Sequence, residues 1–311
     1  MEGIRTCGQL LEDFPCRRLK LPNTKLPILQ KAGDRRDIYN ISSPFFHHNR
    51  QLLLGRVEER DSEDSSVVFF RWNSGFWSED EQYAPLEHLQ DPFCCKIKGE
   101  LMLGGVEVSL GSKNETTYRT VFYRETAPGR FERFSTGPER MKDIRLLELA
   151  NGTILVATRP QGGAAGRGKI GFTSIRSLDE LNARTISSAE VFDDQFTPEE
   201  WGGTNQLHLL QNGKVGALSH IARFDSEGNR HYYSTCFLLD PETGAHSPMK
   251  MVAVRGNFED GPSKREDLKD VVFSGGLIRQ GNGVARLYCG VSDAEAHCIS
   301  ISDPFLEWES T

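Results

Sequence analysis

LQDPFCCKIKGELMLGGVEV, residues 89–108, places an acidic side chain, Asp91, directly before a proline. Proline has a fixed φ and no N–H to donate, so Pro92 belongs at the entry or edge of a strand, and the residue before it is expected to be extended. Asp91 therefore reads as a residue at a strand mouth. Behind it come a short apolar strand (93–97), a Lys98-Gly99 turn and a second apolar strand (101–108), the signature of a β-hairpin.

The same layout occurs four more times. YNISSPFFHHNRQLLLGRVEE (39–59) is followed by SSVVFFRW, and residues 89–108 by TTYRTVFYRE. MKDIRLLELANGTILVATRP (141–160) precedes GKIGFTSIRS, GGTNQLHLLQNGKVGALSHIA (202–222) precedes HYYSTCFLLD, and DVVFSGGLIRQGNGVARLYCGVSD (270–293) precedes AHCISIS. Each copy has a polar opening, an apolar strand, a tight turn, a second strand ending in polar residues, and a third strand. The turns fall at Asn49-Arg50, Lys98-Gly99, Asn151-Gly152, Asn212-Gly213 and Asn282-Gly283; Asn-Gly is the favoured pair for a type I′ hairpin. A spacing of roughly fifty to seventy residues is that of propeller blades. The reading is an all-β chain, a five-bladed β-propeller forming one domain over residues 1–311, with residues 1–38 as an N-terminal arm. A β-sandwich of regular hairpins is the alternative. Helical periodicity is confined to short pieces, at 8–13 in the arm, 177–183 and 198–201, and the arm holds one strand candidate at 26–29.

A net charge of −7 and a pI near 5.7 provide no general attraction to nucleic acid or to an anionic membrane. No window approaches the roughly 18 apolar residues of a membrane span, and the N-terminus lacks the apolar stretch of a signal peptide. A cytoplasmic protein is expected. Seven cysteines, an odd number without CxxC or Cys/His ligand spacing, read as reduced thiols, and neither a metal nor a cofactor is expected. The sequons at Asn40, Asn114 and Asn151 carry no meaning in that compartment.

In a propeller the strand openings converge at one end of a central channel, so a site can be assembled from several blades. The candidates are Asn40 and Arg56, Asp91 and Arg119, Lys142, Asp143 and Arg159, His220, and Asp270 and Asp293, in blade order. Carboxylates bind sugar hydroxyls or donate a proton, and Arg and Lys hold phosphate, so the set suits a polyhydroxylated, phosphate-bearing substrate. The plainer reading of each is a turn cap or a surface charge. GAAGRGK (163–169) spells most of a phosphate-binding loop, but Ile170 stands where Ser or Thr must reach magnesium, and a strand follows. It reads as a blade connection at the channel rim. The acidic run 58–64 and the loop 256–270 read as solvated surface.

These motifs, in this order, resemble the five-bladed β-mannoside phosphorylases and hydrolases, and more closely the kinetoplastid β-1,2-mannan (mannogen) mannosyltransferase/phosphorylases. The family's second blade opens with Glu-Asp-Pro-Arg, answered by Gln90-Asp91-Pro92-Phe93. Its Lys-Asp and Arg-Pro are answered by Lys142-Asp143 and Arg159-Pro160, its Tyr-His-Gly by Ser219-His220-Ile221, and its fifth-blade motifs by VVFSGG (271–276) and Gly290-Val291-Ser292-Asp293. The resemblance implies that Asp91 is the general acid, relaying its proton through the mannose 3-hydroxyl, while phosphate attacks from the opposite face and inverts the anomeric centre. It implies phosphate contacts from Arg119, Lys142 and His220, and substrate contacts from Asn40, Arg56, Asp143 and Asp293. The partners it implies are β-1,2-mannooligosaccharide with inorganic phosphate or mannose 1-phosphate, and GDP-mannose as a further donor. Gln90, Phe93 and Ile221 depart from the family pattern and bear on donor and acceptor preference. A protonated Asp91 requires desolvation to raise its pKa. A β-mannoside hydrolase, with water replacing phosphate, and a non-catalytic carbohydrate-binding propeller are the alternatives.

Overall fold

Alternation of apolar and polar residues over five to ten positions, broken by Gly and Asn turns, produces a mostly β chain. The computed structural model describes residues 4–110 and 116–309; Asn114 of the second sequon lies outside them. Among the described residues, five antiparallel meanders lie in four hydrogen-bonded sheets. The first runs Asp37–Tyr39, Arg50–Glu58, Ser65–Asn73, Phe76–Glu79; the second Leu89–Ile97, Glu100–Leu110, Thr116–Ala127, Arg130–Thr136; the third Arg145–Glu148, Ile154–Thr158, Gly171–Ile175, Glu190–Val191. The fourth sheet carries two meanders, Trp201–Leu209 to Arg230–Leu239 and Asp270–Arg279 to Glu295–Ser302, joined where His231 and Tyr232 pair in parallel with Asp270 and Val271.

The apolar core is divided among the junctions between neighbouring meanders. Leu52, Phe69 and Leu89 with Val121 join the first to the second, and Phe93 and Phe122 with Val156 join the second to the third. Leu155 with Phe237 and Leu218 with Leu287 seal the next two junctions. Ile41 and Val68 with Tyr288 return the last meander to the first. At that last junction Gly290 faces Asn40, and a Cβ there would lie 1.9 Å from Asn40 Oδ1.

Several local readings change. The arm is stitched into the sheets: Leu26 N–H donates to Ala296 O (2.9 Å), Cys298 N–H to Thr24 O (2.8 Å), and Ile28–Leu29 adds in parallel to Phe76–Glu79. Its helix, Cys7–Asp13, starts with a capping box on Thr6 and Gln9. His47 pairs with Arg50, so the first turn is His48-Asn49, both at positive φ, one residue earlier than the Asn-Arg reading. Lys98-Gly99 is a two-residue turn with both φ positive. Around Asn151-Gly152 and Asn212-Gly213 the closing hydrogen bonds span three-residue loops, with only the Gly left-handed. Residues 198–201 are not helical, because Trp201 pairs with Ala222 and opens a strand, and the helix after residue 177 is a 3-10 turn at Leu178–Glu180 followed by Ala183–Ser187. All seven cysteines are free thiols.

Phe122 is fully buried between the second and third sheets. Phe122→Ala is expected to lower unfolding free energy by about 3–5 kcal/mol, read as a lower denaturant midpoint with an unchanged slope.

Candidate active site

Polar residues from every meander meet in one pocket of about 190 Å³, whose lining includes Asn40, Arg56, Asp91, Lys142, Asp143, His220 and Asp293. It shares Glu63, Gln90, Lys142, Arg230 and Tyr232 with a wider cleft of about 1040 Å³. A small deep chamber thus opens through a broad antechamber.

Backbone conformation brings the acidic residues inward. Asn40, Asp91, Asp143 and Asp293 all have left-handed φ, at 41°, 49°, 60° and 49°. Asn and Asp tolerate this region best among residues with a Cβ, and such strain concentrates at functional sites. The proline rule therefore misreads Asp91: it is not extended but sits in a bulge between Gln90 and Phe93, where the ladder skips a position.

One end of the pocket is built on Asp91 and Arg56. Asp91 is 7% exposed; its Oδ1 accepts from Asn40 Nδ2 (2.7 Å) and Arg56 Nη1 (3.3 Å), while no hydrogen bond from the described residues engages Oδ2. Arg56 also grips Glu58 Oε2 (2.9 Å) and Glu63 Oε2 (3.3 Å) and lies over the Tyr39 ring at 4.9 Å. Burial opposes the charge on Arg56, but Asp91, Tyr39 and Glu58 outweigh it and raise its pKa. Lys264 closes the network on Glu58 and on Glu63 (3.1 Å). Glu58 is buried, Glu63 lines both cavities and the loop supplies Lys264 and Arg265, so parts of the acidic run and of that loop contribute to the site, while Glu59, Asp61, Asp260 and Glu266 are exposed as the sequence suggests. Asp293 keeps partial solvent contact through the pocket but is otherwise enclosed by protein; burial, opposed by Arg56 and reinforced by Asp91, pushes its carboxyl up to about 6.

The other end is cationic. Asp143 and Arg159 are each 1% exposed and pair at 3.3 Å, with His220 Nε2 at 4.0 Å from the same carboxylate. Gly203 makes the approach possible, since a Cβ there would fall 2.9 Å from Asp143 Oδ2 and 2.8 Å from Arg159 Cδ. Beyond that ion pair, both Asp143 oxygens and Arg159 Nη1 are buried without an aligned hydrogen bond among the described residues, an arrangement that calls for a ligand or water. Burial raises and the surrounding cations, Arg159 first, lower the Asp143 pKa, and the net effect is downward. Burial pushes His220 down to about 3, so its imidazole is neutral near pH 7. Its Nδ1 meets Asn205 Oδ1 at 2.9 Å, and its ring stacks on Tyr232 at 5.7 Å. Lys142 lines both cavities and makes no ion pair within 4 Å among the described residues; Asp143 and Tyr232 outweigh burial and raise its pKa.

Two candidates lie elsewhere. Arg119 pairs across its ladder with Glu107 and donates to it from Nε at 2.9 Å, on the face opposite Tyr118 and Val108, which line the cleft. Strand alternation turns it away. Asp270 meets His231 at 2.6 Å and Tyr233 outside the pocket. The glycine-rich stretch folds as a 3-10 turn, Gly163–Ala165, and delivers Arg167 to the cleft, where its Cζ lies 5.1 Å from the Phe224 ring.

The sequence matches, over residues 21–307, the family described as "Protein of unknown function (DUF1861)". The chain belongs to the DUF1861 family. Comparison with curated protein sequences gives no match. Among solved structures, this DUF1861 protein is similar to MPT-4, a mannose phosphorylase from Leishmania mexicana in complex with phosphate ion: 34% identity, TM-score 0.86, covering 96% of this chain and 93% of that one. It is also similar to MPT-1, a GDP-Man-dependent mannosyltransferase from the same organism, at 31% identity and TM-score 0.84 over 97% and 95%. A β-1,2-mannobiose phosphorylase from Listeria innocua, at 14% identity and TM-score 0.63 over 90% and 94%, shares the fold. No helix among the described residues is long and apolar enough to cross a membrane.

The Asp293 carboxyl carries a testable sign. Between the unfolded value near 3.8 and about 6, the native protein holds a proton that the unfolded chain has released, so this group's contribution to stability falls as pH rises and levels off above 6. Asp293→Asn is expected to remove that fall: relative to the parent, the variant gains stability between pH 4 and pH 6 in denaturant midpoints.

Proposed function

We propose that this DUF1861 protein is a single five-bladed β-propeller that works as an inverting β-1,2-mannosyltransferase/phosphorylase. The closed circuit of core contacts, from the fifth meander back to the first, supports the blade count. The observation that carries the chemistry is the joining, in one pocket, of a carboxylate end (Asp91, Asp293) and an end formed by the Lys142 cation and the neutral His220 imidazole, with Arg159 beside it on the adjoining cleft. Similarity to a phosphorylase and a GDP-Man-dependent transferase of the same fold points the same way.

In this reading Asp91, held through Oδ1 by Asn40 and Arg56, uses its free Oδ2 to assist departure of the glycosidic oxygen through a mannose hydroxyl. Asn40, Arg56, Asp143 and Asp293 hold the mannose hydroxyls. Phosphate binds against Lys142 and His220, and its charge is neutralised as it attacks the anomeric carbon from the face opposite Asp91. Arg159, which replaces the outward-facing Arg119 in this role, adds the unsatisfied Nη1. Run in reverse, mannose 1-phosphate gives its mannosyl group to an acceptor hydroxyl. The antechamber of about 1040 Å³ is large enough for an oligosaccharide acceptor or for the nucleotide of GDP-mannose. Seven free thiols suit a cytoplasmic enzyme.

Incubation with β-1,2-mannooligosaccharides and phosphate, and separately with GDP-mannose and mannose, tests the reading. Phosphate-dependent release of mannose 1-phosphate or chain growth supports it; free mannose formed without phosphate indicates a hydrolase, and no product under either condition indicates a binding propeller. Asp91→Asn is expected to lower kcat roughly 10²–10⁴-fold, whereas Lys142→Ala is expected to act chiefly on the KM for phosphate. Full activity in Asp91→Asn contradicts the assignment.

A further inference from the structure

Away from the pocket, His47, His48 and Glu125 bring three metal-ligating atoms within 4.8 Å of one another. Adjacent strand residues point to opposite faces, so two neighbouring histidines reach a common point only if the backbone turns between them. It does: His48 lies at φ +44, in the two-residue turn between His47 and Arg50. The rings come to 4.0 Å between centroids, and both Nε2 atoms face Glu125 of the second sheet, His48 at 2.9 Å and His47 at 3.1 Å. His47 Nε2 is nonetheless buried without an aligned hydrogen bond among the described residues, its polar contact being the Glu125 carboxylate alone.

We propose that His47 Nε2, His48 Nε2 and the Glu125 carboxylate bind a zinc ion that clips the first sheet to the second. Zinc–ligand bonds of about 2.0–2.1 Å in tetrahedral geometry set ligand atoms roughly 3.3–3.4 Å apart, near the two histidine–carboxylate spacings of 2.9 and 3.1 Å, with all three ligand atoms within 4.8 Å of one another. The surroundings fit such a site. Glu125 also accepts from Gly129 N–H (2.6 Å), which fixes the carboxylate, and Tyr83 and Phe131 stand 6.4 and 6.0 Å from the His47 ring. The fourth position opens to a groove of about 730 Å³ that Lys96 and Arg124 also line, so an anion or water can complete the shell. The cluster is at the start of the strand Arg50–Glu58, whereas Arg56 is near its end, roughly 20 Å away at about 3.3 Å per residue. The metal therefore has a structural role and takes no part in mannosyl transfer. Neither sequence spacing nor motif shows the site, since Glu125 is 77 residues from His48.

Titration calorimetry of chelator-treated protein without a polyhistidine tag is expected to show one zinc per chain, and saturating zinc is expected to raise the thermal midpoint. His48→Gly, which suits the left-handed backbone, and Glu125→Gln, which keeps the shape of the side chain, should each weaken zinc binding at least about tenfold and abolish the thermal shift. Their circular dichroism and sugar-transfer activity should match the parent. Cobalt should give the visible bands of a tetrahedral ion in the parent alone. Absence of stoichiometric zinc uptake by folded parent protein, or uptake that His48→Gly leaves unchanged, overturns the proposal.

Discussion

The Arg56 guanidinium, buried to 5% exposure, holds the pocket together. It binds Asp91 from the second sheet, Glu58 from the first and Glu63 from the loop that follows Glu58, and stacks on Tyr39. Removing two charges from water costs several kcal/mol per ion, and a buried pair is sustained only when its remaining donors and acceptors are satisfied. The enclosed carboxylates Asp91, Asp293 and Glu58 therefore require Arg56 and Lys264 beside them, and Glu63, 62% exposed, joins the network from the rim. The left-handed residues at the strand mouths are the backbone counterpart of the same constraint: they turn side chains inward that a regular strand would place elsewhere.

Charge balance also separates the two ends of the site. Near Asp91 the carboxylates outnumber the cations, and one of them, Asp293, holds its proton up to about 6. Near His220 the balance reverses, with Lys142, Arg145 and Arg159 around Asp143 and a neutral imidazole. A proton source at one end and an electropositive cradle at the other suit exchange of a glycosidic oxygen for a phosphate oxygen. The same arrangement serves phosphorolysis and transfer, which differ only in the group that occupies the cradle. Relatives with both activities on this fold are consistent with that economy.

Much of the fold was legible because period-two alternation and Asn-Gly turns are local properties. Lys98-Gly99 marked its hairpin because the short loop forces φ > 0 on both residues. Seven of the eight proposed site residues meet in the pocket because the recurring copies place equivalent positions at the same end of each meander. What escaped depends on long-range packing. Arg119 points away because its register with Glu107 fixes its face, and register is not written in one strand alone. Glu63, Lys264 and Arg265 come from loops whose polarity resembles that of any solvated loop. The φ of Asp91 runs against the preference of a residue before proline, and the bulge that imposes it is a property of two paired strands.

The anomeric configuration of the first-formed product tests the central claim most directly. With phosphate and Asp91 on opposite faces of the mannosyl ring, nuclear magnetic resonance of the nascent sugar phosphate released from a β-1,2-linked mannooligosaccharide should show α-mannose 1-phosphate. β-Mannose 1-phosphate as the initial product, or mannose released with no phosphate incorporated, would contradict it.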